Sequence, residues 1–219
     1  MENWTTSHDR VLAQRHTGSW MFLIEAARDI RTTGAIAPSG RALARALTDP
    51  VRTRSGQPLN ILEAGAGTGA VARTLIGQLS AGSHLDVAEA NPRFTGRLHH
   101  LAATHPRLVG HGRQVHIHTC RVEELDTDRR YDVIVSGLPF ADFHPGQVKT
   151  IMDRYLELLH PGGTLTYFAY LGTRRACTPL ASRIRAHCHQ AVEGVLTGYQ
   201  RRYATGCWTV WANLPPARV

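Results

Sequence analysis

A glycine-rich stretch with an acidic residue at its start is the first part of the sequence that could do chemistry. It reads Glu63-Ala64-Gly65-Ala66-Gly67-Thr68-Gly69, and a further acidic residue, Glu89, closes the next strand-like run. Glycines let the backbone turn tightly and approach a ligand, and a helix that begins behind them favours negative charge. Gly65, Gly67 and Ala70 also satisfy the dinucleotide fingerprint, in which an acid after the second strand binds a ribose. The pattern therefore predicts a site for a nucleotide-bearing cofactor.

Three features of the chain favour S-adenosyl-L-methionine (SAM) over a dinucleotide. A long segment, residues 1–58, precedes the first strand-like run, whereas dinucleotide domains often begin with that strand. Glu63 stands just before the glycines, where a carboxylate would repel a pyrophosphate but would tolerate the ammonium group of SAM. The last two strand-like runs, 195–203 and 207–214, leave no room for a helix between them, so they must pair antiparallel. Such a pair does not fit the second half of a dinucleotide-binding fold.

Alternating strand-like and helix-like segments must position these residues. Strands are predicted at 60–64, 84–89, 114–118, 131–135, 164–170, 195–203 and 207–214. Helices are predicted at 19–29, 41–47, 70–79, 93–104, 147–159 and 179–191, and Ser39 is expected to cap the second of these. The series predicts an α/β fold, a Rossmann-like sheet of seven strands with an antiparallel last strand. We expect an N-terminal helical lid over 1–58 and a cofactor-binding domain over 59–219.

The residues on this framework resemble the motifs of class I SAM-dependent methyltransferases. Glu63 and the three glycines are similar to the first motif of that family, and Glu89 resembles the acid that binds the two ribose hydroxyls. The resemblance implies that Ala90 and Asn91 lie beside the adenine. Arg121 stands where the family often has an acid, so the adenine contact falls to the Val122 backbone or to Glu123. SAM is the implied cofactor.

A closer resemblance is to the soluble bacterial phosphatidylethanolamine N-methyltransferases, which are relatives of the rRNA adenine dimethylases. Four segments are similar, namely 31–39, 89–94, 135–139 and 213–219. The first implies that Thr33 and Ser39 lie over the SAM pocket. The chain departs from these enzymes at Phe140, where they more often have leucine, and Asp142 follows in the same loop. These departures leave the phospholipid acceptor open.

The loop after the fourth strand, Ser136-Gly137-Leu138-Pro139-Phe140, is expected to carry the reaction. A sulfonium expels a neutral leaving group, so the enzyme mainly holds donor and acceptor in line, an effect worth up to ~7–11 kcal/mol. The acceptor amine must be uncharged, and burial lowers its pKa. We expect the carbonyls of Ser136 and Gly137 to orient the amine, Leu138 and Pro139 to keep the backbone rigid, and Phe140 to line the methyl site.

Two further side chains are candidates on the acceptor side. Asp142 is predicted to bind the incoming ammonium group or to relay its proton, and a solvated or helix-capping aspartate is the equally open alternative. Tyr167 and Tyr170 close the fifth strand, and Tyr170 in particular is predicted to face the cationic product through a cation–π contact. The histidines between 99 and 118 have no regular ligand spacing, so no metal site is predicted.

The charge of the chain indicates the nature of its partner. The 25 Lys and Arg residues exceed the 17 Asp and Glu residues, which gives a formal net charge of +8. The excess lies in 1–58 and 171–219, and such a surface favours anionic partners. We therefore expect an amine-bearing acceptor that is anionic or lipid-like, with peripheral membrane contact through 19–30. The chain has no RNA-binding motif, so nucleic acid is disfavoured.

The sequence also bears on location. No apolar run approaches the roughly 20 residues that a membrane-spanning helix needs, and the first 15 residues contain no signal-peptide core. The four cysteines form no C-x-x-C pair. We expect a cytoplasmic protein that can lie on the inner face of the membrane, and the oligomeric state stays open.

The predicted activity is SAM-dependent N-methylation of a primary amine, with the phosphatidylethanolamine headgroup as the first acceptor. The alternative is a peptide α-amine or a small natural-product amine in a biosynthetic pathway. An rRNA adenine is third, because Gly137 stands where Asn or Asp usually precedes the Leu-Pro-aromatic core. A non-catalytic SAM-dependent or nucleic-acid-binding module is the alternative from a different class.

Overall fold

A computed structural model describes residues 36–108, 114–140, 143–170, 197–204 and 207–213. The predicted helices at 19–29 and 179–191 lie outside these residues, as do Thr33 and Asp142. The backbone of Tyr170 lies at the end of a described strand, but its side chain falls outside the description.

The chain divides into two compact units, Met1–Gly40 and Arg41–Val219. This division falls earlier than the predicted boundary after residue 58. The reason is that Leu47 and Val51 are buried with Leu75 and Ile76 in one hydrophobic cluster, so 41–58 pack as part of the larger unit. The role of 1–58 as a lid stays a prediction.

The helices and strands follow the predicted alternation. The helices are α1 Ile36–Leu47, α2 Asp49–Arg52, α3 Ala70–Ile76, α4 Pro92–Thr104 and α5 Pro145–Leu158. The strands are β1 Asn60–Ala64, β2 His84–Ala88, β3 Val115–His118, β4 Tyr131–Ser136, β5 Leu159–Tyr170, β6 Thr197–Ala204 and β7 Cys207–Asn213. Short 3₁₀ turns occupy Pro106–Leu108 and Val122–Glu124.

The described strands form one sheet in the order β3-β2-β1-β4-β5-β7-β6. Strands β1 to β5 pair parallel with their neighbours, whereas β7 pairs antiparallel with both β5 and β6. The prediction of a Rossmann-like α/β fold is confirmed, with five parallel strands that alternate with helices.

Several boundaries differ from the sequence prediction. Helix α1 begins at Ile36, so Ser39 lies inside the helix and is not its N-cap, which corrects that prediction. Pro38 is tolerated there because the amides of the first helical turn have no partner within the helix. Strand β5 begins at Leu159, which pairs with Tyr131 before a shift in register. Helix α2 went unpredicted because one turn is too short to show a periodic pattern.

Both faces of the central strands β1, β2 and β4 are buried, which explains the continuous apolar runs in these strands. Side chains alternate between the two faces of a strand. Accordingly, Ile134 packs in one cluster with Tyr155 and Leu165, while Val133 and Val135 pack in the other. Burying one such aliphatic side chain stabilises the fold by about 1.5–3 kcal/mol. The central strands therefore form a rigid support for the loops at their ends.

The register of the central strands decides which loops meet. Ala64, the last residue of β1, pairs with Ala88 at the end of β2 and with Ser136 at the end of β4. The chain leaves all three strands along one line at the carboxyl edge of the sheet, where ligands bind in open α/β folds. None of the helices in the described ranges is long and apolar enough to cross a membrane.

Candidate active site

Two backbone hydrogen bonds join the three loops at this edge of the sheet. The amide of Gly65 donates to the carbonyl of Ala88 at 2.9 Å, and the amide of Gly137 donates to the carbonyl of Ala64 at 2.8 Å. The structure thereby brings the glycine-rich loop, Glu89 and the Ser136–Phe140 loop together, although they are far apart in the sequence. The chemical role of each residue stays a prediction.

The glycine-rich loop depends on glycine at two positions for different reasons. Gly65 has a φ of 72°, and a Cβ there would lie 2.5 Å from Cδ2 of Leu138. Gly67 has a φ of 53°, and a Cβ there would meet no atom within 4 Å. Gly65 is therefore needed for packing against the loop after β4. Gly67 turns the chain beside open space that a ligand can enter.

Glu63 is the most unusual acid of the site because it is buried, with 1% of its surface exposed. The backbone amide of Ala72, in the first turn of α3, donates to its carboxyl group. Its Oε2 atom is buried and has no hydrogen-bond partner among the described residues. Burial raises the pKa of Glu63 to about 8, and the nearby charge of Glu89 adds to this, whereas the Ala72 amide opposes it. Such a group gains stability when a cation reaches it.

Glu89 is held by backbone amides from two directions. Its Oε2 accepts from the amide of Gly67 at 2.8 Å, and its Oε1 accepts from the amide of Asn91 at 2.8 Å. Each carboxylate oxygen can accept more than one hydrogen bond, so both retain capacity for vicinal hydroxyl groups. The bond to Gly67 also ties the glycine-rich loop to the end of β2.

The residues predicted to lie beside an adenine follow β2 and β3. Asn91 caps helix α4, since its side chain accepts from the amide of Arg93 at 3.0 Å, so it has a structural role at least. The side chain of Val122 is buried, and that of Glu123 is half-buried, in the 3₁₀ turn.

Cys120 lies just before this turn. Burial, and then the charges of Glu124 and Glu123, raise the pKa of the Cys120 thiol, which disfavours the thiolate form.

The Ser136–Phe140 loop is fixed by side chains that the sequence analysis missed. The hydroxyl of Tyr155, in α5, donates to Oγ of Ser136 at 2.9 Å. The amide of Leu138 donates to the same oxygen at 3.3 Å. Tyr155 falls on an apolar stripe with Val148 and Ile151, which predicts only a core position. Its polar contact arises between two elements, so spacing along the chain carries no signal of it.

Phe140 lies in an aromatic group that includes another missed residue, Phe143. The ring of Phe140 stands nearly perpendicular to that of Tyr167, with centroids 5.7 Å apart, and to that of Phe143, with centroids 6.3 Å apart. Phe140 and Tyr167 are buried, and Phe143 is half-buried. The loop therefore ends in an apolar, aromatic wall.

The described residues fit a cofactor that carries a cation and a ribose. The unpartnered oxygen of Glu63 suits a positive group, Gly67 leaves space, and Glu89 directs two fixed oxygens. Within the described ranges, no group of three or more His, Cys, Asp or Glu residues could hold a metal ion.

Comparisons with known proteins agree with this geometry. Residues 61–163 match the family described as "Methyltransferase domain". The chain is similar in structure to the N-methyltransferase NodS from Bradyrhizobium japonicum WM9 in complex with S-adenosyl-L-homocysteine, with a TM-score of 0.60 and 20% identity. That match covers 85% of this chain and 91% of NodS. No match was found among the sequences of curated proteins.

Two further solved structures show the same fold. One is the 1,6-didemethyltoxoflavin-N1-methyltransferase of Burkholderia thailandensis, with a TM-score of 0.61, 18% identity, and coverage of 98% of this chain and 93% of that one. The other is the O-methyltransferase TomG of Streptomyces achromogenes, with a TM-score of 0.58, 19% identity, and coverage of 88% and 89%. SAM is the cofactor of the domain that residues 61–163 form.

Proposed function

We propose that this chain, which carries a class I SAM-dependent methyltransferase domain at residues 61–163, transfers methyl groups to the nitrogen of a primary amine. The first acceptor that we propose is the phosphatidylethanolamine headgroup. The observation that supports the proposal is the direct packing of the Ser136–Phe140 loop on the glycine-rich loop, because we assign the acceptor to the first loop and the cofactor to the second.

On the cofactor side, the proposal gives a role to each of the two buried acids Glu63 and Glu89. Glu63 would hold the ammonium group of SAM, because its free oxygen lacks a partner in the described residues. Glu89 would hold the ribose hydroxyls with the capacity left after its bonds to Gly67 and Asn91. Bound SAM supplies a methyl group on a sulfonium, which is electrophilic. No residue needs to protonate the leaving group, because it departs uncharged.

The acceptor side favours an amine that has lost its proton. An alkyl amine has a pKa of roughly 10.4 in water, so it arrives charged at neutral pH. The apolar, aromatic wall of Phe140, Phe143 and Tyr167 disfavours the charged form. The carbonyls of Ser136 and Gly137 would accept hydrogen bonds from the remaining N–H groups and direct the lone pair of the nitrogen. Tyr170 would face the methylated product, and Asp142 would receive the incoming ammonium group.

Labelled SAM gives the direct test of this proposal. Purified protein is incubated with methyl-labelled SAM and vesicles of phosphatidylethanolamine, and vesicles of phosphatidylcholine serve as the control that has no primary amine. We expect label in the phosphatidylethanolamine vesicles alone. Pelleting with anionic vesicles tests the proposed membrane contact through residues 19–30. Absence of both labelled lipid and vesicle binding would exclude the lipid acceptor.

A peptide α-amine or a small natural-product amine is the second candidate. The Burkholderia thailandensis structure supports it, since that protein is described as a 1,6-didemethyltoxoflavin-N1-methyltransferase, which names a small molecule and a nitrogen position. Label that appears in an amine-terminated peptide, and disappears when that amine is acetylated, would favour this candidate. Label in an rRNA adenine would instead favour the third candidate.

A further inference from the structure

Two consecutive residues of α5 contact both sides of the site. Nη2 of Arg154 donates to the carbonyl of Leu125 at 2.7 Å, and the hydroxyl of Tyr155 donates to Oγ of Ser136 at 2.9 Å. Leu125 directly follows the 3₁₀ turn that contains Glu123, on the cofactor side. Ser136 begins the Ser136–Phe140 loop, which we call the acceptor loop because the proposed function assigns the acceptor amine to it. One turn of helix therefore fixes the loop after β3 and the loop after β4 relative to each other.

The hydroxyl of Tyr155 can act only as a hydrogen-bond donor or acceptor, and not as an acid or a base. The side chain is fully buried, and burial raises the pKa of Tyr155 well above its ordinary value, an effect to which the charge of Glu123 adds. The hydrogen bond with Ser136 opposes this rise in the pKa of Tyr155 but does not cancel it, so the neutral phenol is favoured. A role in catalysis must come from the atoms that it holds in place.

The atom that Tyr155 holds is Oγ of Ser136, which also accepts from the amide of Leu138. A serine hydroxyl has two acceptor lone pairs, and these two donors use both of them. The side chain of Ser136 is therefore fixed from the helix on one side and from its own loop on the other. Without the Tyr155 hydroxyl, Ser136 can rotate and the Leu138 amide loses a fixed partner.

We propose that Tyr155 is a positioning residue for methyl transfer, which holds Ser136 so that the carbonyls of Ser136 and Gly137 keep the orientation that the acceptor amine needs. This inference rests on the proposed function, because it is that function which assigns the carbonyls to the acceptor. Tyr155 touches neither substrate nor cofactor in this arrangement and acts through Ser136 alone.

Tyr131 provides a matched control within the same chain. It is also buried, and its hydroxyl donates to Oδ2 of Asp86 at 2.9 Å. It stands at the first residue of β4, whereas Ser136 stands at the last. Tyr155→Phe and Tyr131→Phe each remove one hydroxyl from a buried hydrogen bond, but only the first removes a contact of the acceptor loop.

Amide hydrogen exchange, followed by NMR on the full chain, tests the positioning without any acceptor. In Tyr155→Phe we expect the Leu138 amide to exchange about tenfold faster, as the loss of one net hydrogen bond would allow. Ser136→Ala removes the acceptor of that amide and should speed its exchange at least as much, and adding Tyr155→Phe to Ser136→Ala should give no further change. Tyr131→Phe should leave the Leu138 amide unaffected. Equal exchange of that amide in the two Phe variants would overturn the proposal.

Kinetics with labelled SAM and phosphatidylethanolamine vesicles form the second arm. Tyr155→Phe should lower kcat about tenfold, while the KM for SAM is unchanged and Tyr131→Phe retains both constants. A loosened loop with an unchanged kcat would overturn the proposal. If the wild-type protein labels no phosphatidylethanolamine, the acceptor assignment fails, and the exchange measurement still decides whether Tyr155 holds the loop. If Tyr155→Phe does not fold, Ser136→Ala takes its place in both measurements, with Tyr131→Phe again as the control.

Discussion

Gly137 lies against the carbonyl oxygen of Gly65, so closely that a Cβ at position 137 would come within 2.5 Å of that oxygen. The approach is equally close from the other side, because a Cβ on Gly65 would lie 2.5 Å from the side chain of Leu138. The glycine-rich loop and the acceptor loop are thus packed as one body. Under the proposed function, this packing would set the distance between the bound methyl donor and its acceptor.

The first prediction concerns Gly137→Ala. The clashing atom is a backbone oxygen that cannot swing aside, so we expect a loss of stability of about 1–3 kcal/mol, as in overpacked cores. Methyl transfer should fall by more than the loss of folded protein explains. Urea unfolding and labelled-SAM assays measure the two effects.

Gly96→Ala is the matched control for this substitution. Gly96 lies in α4, and a Cβ there would meet no atom within 4 Å. Alanine is the better helix former by roughly 0.5–1 kcal/mol, so this variant should be slightly more stable and fully active. Wild-type activity in Gly137→Ala would show that the two loops are free to separate.

The second prediction is that SAM binds more tightly as the pH rises. Free Glu63 has a pKa of about 8, so between pH 6 and 7.5 it must lose its proton when a cation binds. The affinity should therefore rise by up to about tenfold per pH unit. An α-amino group keeps its own proton below roughly pH 7.7, so the ligand contributes little in this range. Calorimetry measures the dissociation constants, and Glu63→Gln should abolish this dependence.

The third prediction concerns the stability of the free protein. The native pKa of Glu63 is about 8 against an ordinary value of 4.5, so the folded chain keeps a proton that the unfolded chain releases. The free energy of unfolding should therefore fall between about pH 4.5 and 8 and then level off. Urea unfolding of wild type and Glu63→Gln at pH 5 and pH 8 isolates this contribution. A difference between the two proteins that does not change with pH would contradict it.

The fourth prediction concerns Glu89→Gln. The substitution keeps the shape but removes the charge that Gly67 and Asn91 contact, and charge-assisted hydrogen bonds are worth about 1.5–3 kcal/mol each. SAM affinity should fall about a hundredfold. Asp86→Asn is the control, because Asp86 is a buried acid within β2, the strand that Glu89 follows, and it accepts from Tyr131 instead. It should destabilise the fold and leave the affinity of the folded fraction unchanged.

The fifth prediction concerns Phe140→Leu. The change removes edge-to-face contacts with Tyr167 and Phe143, each worth about 0.5–1.5 kcal/mol. It also widens the apolar wall of the acceptor side. We expect the KM for the acceptor to rise and the SAM affinity to stay the same. An equal loss of both would place Phe140 in the cofactor site, contrary to its proposed role.

The positions of Glu63 and Glu89 were predictable from the sequence because their signals are local. Glu63 lies near the end of one strand-like run and Glu89 closes the next, and parallel strands place such residues at one edge of the sheet. The first residue of helix α1 was not predictable in the same way. Ser39 has the chemistry of an N-cap, but the helix extends back to Ile36, because Pro38 fits a first helical turn as well as the loop before one.

For the loop after β4, only the course of the backbone was predictable. The sequence Ser136-Gly137-Leu138-Pro139-Phe140 indicated a rigid loop after β4, and the structure places it there. Tyr155 and Phe143 were missed because their contacts join separate elements. A tyrosine on an apolar helical stripe has the same sequence signature whether or not its hydroxyl finds a partner across the core.

Arg154 and Tyr155 are neighbours on α5, so both of their contacts depend on the number of residues that precede them in that helix. A residue inserted between Pro145 and Arg154 would rotate everything after it by about 100° around the helix axis. Both side chains would then point away from Leu125 and Ser136 in a single step. Insertions and deletions among related proteins should therefore fall outside this helix, where they do not rotate Arg154 and Tyr155 about the helix axis.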